Sequence, residues 1–173
     1  MRFELAQALD ILSRTPATLD TLLHGLPEAW IHSNEGGETW SPFDIVGHLA
    51  HGEETDWIAR TKIILDHGDS VEFDPFDRFA QFEKNKGKTI EELLDEFAAL
   101  RRKNLDTIKK MNLGESDMPL KGRHPHLGGV TLGQLLSSWV VHDLGHIGQI
   151  VRVMARQYSS EVGPWKAYLR VLQ

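Results

Sequence analysis

Apolar positions recur at helical spacing over four long stretches of the chain. Leu5, Leu9 and Leu12, then Leu19, Leu22 and Leu23, predict a helix over residues 3–24. Thr15-Pro16 falls inside it. Threonine suits an N-cap and proline the first helical position, so the pattern allows a short helix followed by a second piece. Gly25 ends the stretch as a left-handed C-terminal residue would. Residues 26–40 read as loop, centred on Asn34-Glu35-Gly36-Gly37. Ser41-Pro42-Phe43-Asp44 is a start signal, with Ser41 as N-cap, Pro42 at the first position and Asp44 near the positive end of the dipole. That helix is expected to run to about Leu65, where Asp66-His67-Gly68-Asp69 stops it.

Residues 68–88 are polar and irregular, although Phe73, Phe76, Phe79 and Phe82 recur every three residues. We read them as core rather than as a substrate cradle, with a short helical turn covering a pocket. Thr89, followed by Glu91 and Glu92, starts a third helix that reaches about Met111 through Ile90, Leu94, Phe97 and Leu105. Gly114 to Gly129 reads as loop, broken at Met118-Pro119 and His124-Pro125. Thr131 caps a fourth long helix to about Gln157, and a short tail helix is expected from Pro164 to Leu172. No stretch alternates with the period of a strand. The expected fold is all-α: a four-helix bundle with short extra helical segments, forming a single domain over residues 1–173.

Composition narrows the chemistry. The chain has 173 residues, enough to bury a core without disulfides or a zinc staple. No apolar run approaches the roughly 18 residues of a membrane span. Met1-Arg2-Phe3-Glu4-Leu5 lacks the apolar stretch of a secretory signal, which leads to a cytoplasmic expectation. Cysteine is absent, so a cysteine nucleophile and any cysteine-ligated metal are excluded. The net charge of −6 argues against a phosphate backbone as partner, and acidic residues interrupt the nearest basic grouping, Lys103, Lys109, Lys110, Lys121 and Arg123. Nine histidines in such a chain direct attention to metal binding.

His142 and His146 lie four apart on the fourth helix, so their rings stack on one face. The spacing matches that of H-E-x-x-H without the glutamate. At about 100° per residue, Leu135, Trp139, Ile150 and Val153 share that side, which turns the pair toward the bundle interior. A third ligand is expected from the second helix. His48 lies nearer the Ile45 face than His51, and we select His48; His51 is expected to be solvated or to support a ligand. Three imidazoles leave one position open, the pattern of a catalytic zinc site. The alternative is a buried pair bonded to backbone or to Asp143, and a capped or solvated His48. Asp143 falls within the apolar arc, where it either orients a ligating histidine or holds an arginine across the bundle. Asp56 and Arg60 raise the same question. His24, His32 and His67 read as surface residues, and His124 and His126 as lining a pocket mouth. No nucleophile elbow or phosphate-cradling glycine motif occurs.

These segments together resemble the DinB/YfiT-like superfamily. Trp40-Ser41-Pro42-Phe43-Asp44-Ile45-Val46-Gly47-His48-Leu49 is similar to its second-helix signature. His124-Pro125-His126-Leu127-Gly128-Gly129-Val130-Thr131-Leu132 is similar to its entry to the fourth helix, and His142-Asp143-Leu144-Gly145-His146-Ile147-Gly148-Gln149-Ile150 to its metal motif. Gly163-Pro164-Trp165-Lys166-Ala167-Tyr168-Leu169 resembles its ending. The resemblance implies a four-helix bundle, often a homodimer, with one divalent metal ion, usually zinc or nickel, held at positions matching His48, His142 and His146. It implies either a thiol S-transferase, which joins a low-molecular-weight thiol to a small electrophilic substrate, or a metal-dependent hydrolase.

From these expectations thiol transfer comes first: the ion binds the small thiol and favours its thiolate, which attacks the electrophile. Hydrolysis is the alternative, through a water of lowered pKa, with Glu53 or Glu54 as a candidate base. A non-catalytic binding bundle is the third reading. A fourth protein ligand, from His51 or Gln149, would favour it, because structural sites are usually closed.

Overall fold

The computed structural model describes residues 2–173. Helix α1 spans Leu5–Leu23 without a break at Pro16. Proline has no N–H to give to the carbonyl of Leu12, one turn earlier, and the Arg101 guanidinium donates to that oxygen instead, at 2.8 Å. Gly25 follows with φ +72°, the left-handed stop that the sequence suggested.

The stretch expected as loop, 26–40, contains a short helix, α2 (Glu28–His32). The second long helix is kinked rather than straight, giving α3 (Pro42–Thr55) and α4 (Trp57–His67) on either side of Asp56. Thr55 donates its hydroxyl to the His51 carbonyl at 2.9 Å, a back-bond that bends helices. A short helix α5 (Ala80–Lys84) lies in the segment of recurring phenylalanines. There the core expectation fails in part: Phe73 is buried, but Phe82 is exposed and Phe79 is 62% exposed. Helices α6 (Ile90–Lys110) and α7 (Leu132–Arg156) complete the bundle. The N-termini of α3, α6 and α7 carry reciprocal capping boxes, Ser41 with Asp44, Thr89 with Glu92 and Thr131 with Gln134.

The absence of strands is also corrected. Strands β1 (Lys121–His124) and β2 (Gly128–Thr131) form an antiparallel hairpin, with Lys121 opposite Thr131 and His124 opposite Gly128. Gly122 sits so close to α4 that a Cβ there would stand 2.7 Å from both Ile64 and Phe73. The tail folds as two short 3-10 pieces, Gly163–Tyr168 and Arg170–Leu172. No helix of the described residues is long and apolar enough to cross a membrane.

The long helices bury two apolar clusters. Leu19, Leu23, Ile45, Leu49, Phe97 and Ile150 belong to one; Leu12, Trp57, Ile64, Phe73, Leu132 and Trp139 belong to the other. Along three of the four long helical stretches a buried charged or amide position separates them: Glu53 between Ala50 and Trp57, Arg101 and Asn104 between Phe97 and Leu105, and Asp143 between Trp139 and Ile150. These four polar residues bond to one another. Arg101 gives two parallel hydrogen bonds to Asp143, at 2.6 and 3.0 Å, and one to Glu53 at 2.8 Å. Asn104 donates to the other Glu53 oxygen, Oε2, at 3.0 Å, and the Trp139 indole N–H shares Oε1 with Arg101 at 2.9 Å. A buried charge is tolerable only when paired and hydrogen-bonded. The layer pairs Arg101 with two carboxylates, and only the Arg101 Nε–H is buried in it without a partner.

Candidate metal centre

Three imidazole nitrogens meet beside the polar layer. His48 Nε2 lies 3.0 Å from His142 Nε2, which lies 3.2 Å from His146 Nε2. Among the described residues these three form the one cluster of histidines and carboxylates close enough to share an ion. The i, i+4 spacing on α7 puts the rings of His142 and His146 on one face, where they meet edge-on with centroids 4.4 Å apart, and α3 brings His48 across to them. Gly47 makes room beside His48: a Cβ at that position would lie 2.3 Å from the Gln81 amide oxygen on α5.

One of the three tautomers is fixed by a hydrogen bond. His146 donates from Nδ1 to Gln149 Oε1 at 2.8 Å, which leaves its Nε2 unprotonated when the ring is neutral. Burial, first, lowers the pKa of all three rings; for His48 and His142 the mutual repulsion with His146 and the positive neighbours Arg78 and Arg101 add to it, and together these bring both to about 3. Aromatic walls produce that burial. Trp40 lies 4.9 Å from His48, Trp57 meets His142 edge-on at 5.3 Å, and Phe76 meets His48 edge-on at 5.4 Å. Tetrahedral coordination at about 2.05 Å per bond would separate such nitrogens by about 3.3 Å. The spacing, neutrality and chemistry of this donor set fit a divalent ion.

The other candidates fall elsewhere. His51 is buried, not solvated; its ring lies against Phe76 at 5.1 Å, its Nδ1 has no protein partner, and it stays outside the cluster. Gln149 orients His146 and is not a fourth ligand, so the closed site of a structural ion is not built from protein groups among the described residues. Asp143 spends both oxygens on Arg101, which answers its case in favour of the ion pair across the bundle. Glu53 is fully engaged in the polar layer and Glu54 is held by Lys84, so neither serves as a base at the histidines. His24 and His32 are exposed and pair with Asp20 and Glu28, each at 3.0 Å.

A cavity of about 250 Å³ opens on the cluster. His48, His142, Asp56, Arg60, Phe76 and His124 are among its lining residues, and His126 lies there too. The helix kink places Asp56 in this wall. Its Oδ1 accepts from Arg60 Nε at 2.5 Å, and burial raises its pKa against the pull of Arg60. The sequence left Asp56 and Arg60 open between supporting a ligating histidine and forming a structural ion pair; the structure pairs them with each other in the wall beside the histidines. The hairpin supplies His124 and His126, as the pocket-mouth reading expected.

A likeness among solved structures concerns the fold. YfiT from Bacillus subtilis, described as a probable metal-dependent hydrolase with an unusual four-helix bundle topology, superposes with a TM-score of 0.76 at 21% identity, over 90% of this chain and 87% of that one. No curated protein matches the sequence. A family model of the DinB superfamily matches residues 11–150, a span that includes all three converging histidines and most of α7. The chain belongs to the DinB superfamily.

Proposed function

We propose that the protein is a metal-dependent hydrolase of small molecules, holding one divalent ion, zinc or nickel, through Nε2 of His48, His142 and His146. The observation that carries this reading is the convergence of three neutral imidazoles at the wall of a cavity with no fourth protein ligand. YfiT, which shares the fold, is itself described as a probable metal-dependent hydrolase. An ion bound by three histidines supplies Lewis acidity at the open position. The chain supplies the rest. Asp56, in the same cavity and raised in pKa by burial, accepts a proton from the attacking water. Arg60 holds the Asp56 carboxylate in place. Trp40, Trp57 and Phe76 keep bulk water from the rings. The cavity is small for a ligand site, which suits a compact substrate.

Thiol transfer uses the same three ligands, but no residue of the site favours it, whereas Asp56 gives hydrolysis a base. The proposal includes a homodimer. Helix α7 turns Val141, Leu144 and Val151 to solvent, the first two 68% and 52% exposed, and Gly145 and Gly148 between them meet nothing within 4 Å. That apolar stripe suits a second helix.

Elemental analysis of untagged protein tests the centre. Near-stoichiometric zinc or nickel is expected in the parent and a loss in His142→Ala. Asp56→Asn is expected to retain the metal while hydrolysis of activated esters falls by roughly 10²–10⁴-fold. A parent that stays metal-free after reconstitution would overturn the reading.

A further inference from the structure

His124 has no role in the centre described above, yet its environment fixes which of its nitrogens carries a proton. Its Nδ1 accepts from two backbone groups, the N–H of His126 at 3.1 Å and that of Leu127 at 3.3 Å. An acceptor nitrogen in a neutral imidazole leaves the other as donor, so Nε2 bears the hydrogen. No protein group among the described residues accepts from it. The ring lines the cavity shared by His48, His142, Asp56 and Arg60.

The hairpin holds that ring in place. His124 ends β1, opposite Gly128, and Gly122 two residues earlier is wedged against Ile64 and Phe73. The Arg123 carbonyl accepts from Phe73 N–H at 2.9 Å, and the Phe73 ring meets His124 edge-on at 6.3 Å. Burial, Arg60 and His126 keep the imidazole below its ordinary pKa, with Glu72 opposing, so the neutral tautomer is the one presented.

We propose that His124 donates a hydrogen bond from Nε2 to a substrate oxygen in this cavity, and that the substrate class is a small ester or amide whose carbonyl oxygen gains negative charge during hydrolysis. The inference rests on the hydrolase reading. Hydrolysis concentrates charge on that oxygen, and a pre-oriented donor in a site shielded from water stabilises the charge where it develops. The water oxygen bonds to the carbonyl carbon and its proton goes to Asp56; the ester C–O or amide C–N bond then breaks and the leaving alkoxide or amine takes that proton, so His124 transfers none.

Two measurements test the assignment. Long-range 1H–15N NMR on metal-free protein, with the signal identified by its loss in His124→Gln, is expected to show the Nε2–H tautomer; an Nδ1–H tautomer would overturn the proposal. The second measures calorimetric binding of phenylphosphonate, a tetrahedral oxyanion, to zinc-loaded parent, His124→Gln and His124→Phe. Both substitutions remove Nδ1, which accepts from the loop N–H groups; phenylalanine leaves no polar atom, whereas glutamine retains an amide N–H donor near the position of Nε2. His124→Phe is expected to bind at least about tenfold more weakly than His124→Gln at equal zinc content. Equal affinities sink the proposal, as does a failure of all three proteins to bind phosphonate while holding zinc, which would leave the metal site standing. A parent without zinc overturns the hydrolase reading and this inference with it.

Discussion

His146 is oriented by a hydrogen bond, whereas His48 and His142 have Nδ1 atoms buried without a protein partner. Their orientation comes from packing against Trp40, Trp57 and Phe76. Gln149→Leu therefore removes the one polar support of the cluster, and zinc affinity is expected to fall roughly 10–100-fold by competition with a chromophoric chelator. Acid sensitivity follows from the same burial. In the metal-free protein His48 and His142 stay neutral down to a pKa of about 3, against an ordinary value near 6.5 in the unfolded chain. Between those values the unfolded state takes up protons that the folded state refuses. Stability is unaffected above pH 6.5 and falls as the pH drops below it. Urea midpoints from pH 7.5 to 5 should show the decline, with a shallower slope in the His48→Phe/His142→Phe double variant; a flat profile in the parent contradicts it. At this scale the sequence was informative where helical period alone decides: it paired His142 with His146 and preferred His48 to His51. It kept His51 out of the ligand set and left it solvated or supporting a ligand; the solvated alternative fails, because the Phe76 ring from a distant loop covers it. Glu53 was misread for a related reason, since its partners Arg101, Asn104 and Trp139 lie on two other helices.

Capping signals located the long elements well, because Ser41, Thr89 and Thr131 each act locally on the turn that they begin. What escaped was set by contacts between elements. Helix α2 is five residues long, too short for a period to show. The strands of the hairpin are four residues each, and the glycines at 122, 128 and 129 blur any alternation. The kink lies in the backbone of Asp56 itself, at φ −111° and ψ −73°, and no glycine or proline marks it in the sequence. Gly122 is the element-scale test. Gly122→Ala drives a methyl into Ile64 and Phe73, so β1 must lift from α4. A loss of about 1–3 kcal/mol is expected from such overpacking, read as a lower urea midpoint. The proposed ester hydrolysis is expected to fall together with stability, since His124 rides on the same strand.

At the level of the whole molecule, a polar layer of four residues divides two apolar clusters. Arg101→Met would leave Glu53 and Asp143 buried without their cation, at a cost of about 3–5 kcal/mol in chemical denaturation. The exposed stripe on α7 makes a separate prediction. Light scattering is expected to find a dimer in the parent and a monomer in Leu144→Glu; a parent that is monomeric at micromolar concentration removes the homodimer from the proposal. Bundle architecture was legible because each long helix carries its own amphipathic pattern, but the layer was not, since its logic is shared among helices. Pro16 illustrates this: read along the chain it suggested a break, yet a side chain from α6 completes the turn that proline leaves open. That contact constrains the order in which substitutions can accumulate in this lineage. If Pro16 is replaced first, the Leu12 carbonyl acquires an ordinary helical donor, and a later change at position 101 need only resolve its acidic partners. If Arg101 is replaced first, the carbonyl is stranded as well. The two-step path is easier in one direction than in the other, and a double-mutant cycle on Pro16→Ala and Arg101→Met would measure the asymmetry as a coupling that distant, independent sites lack.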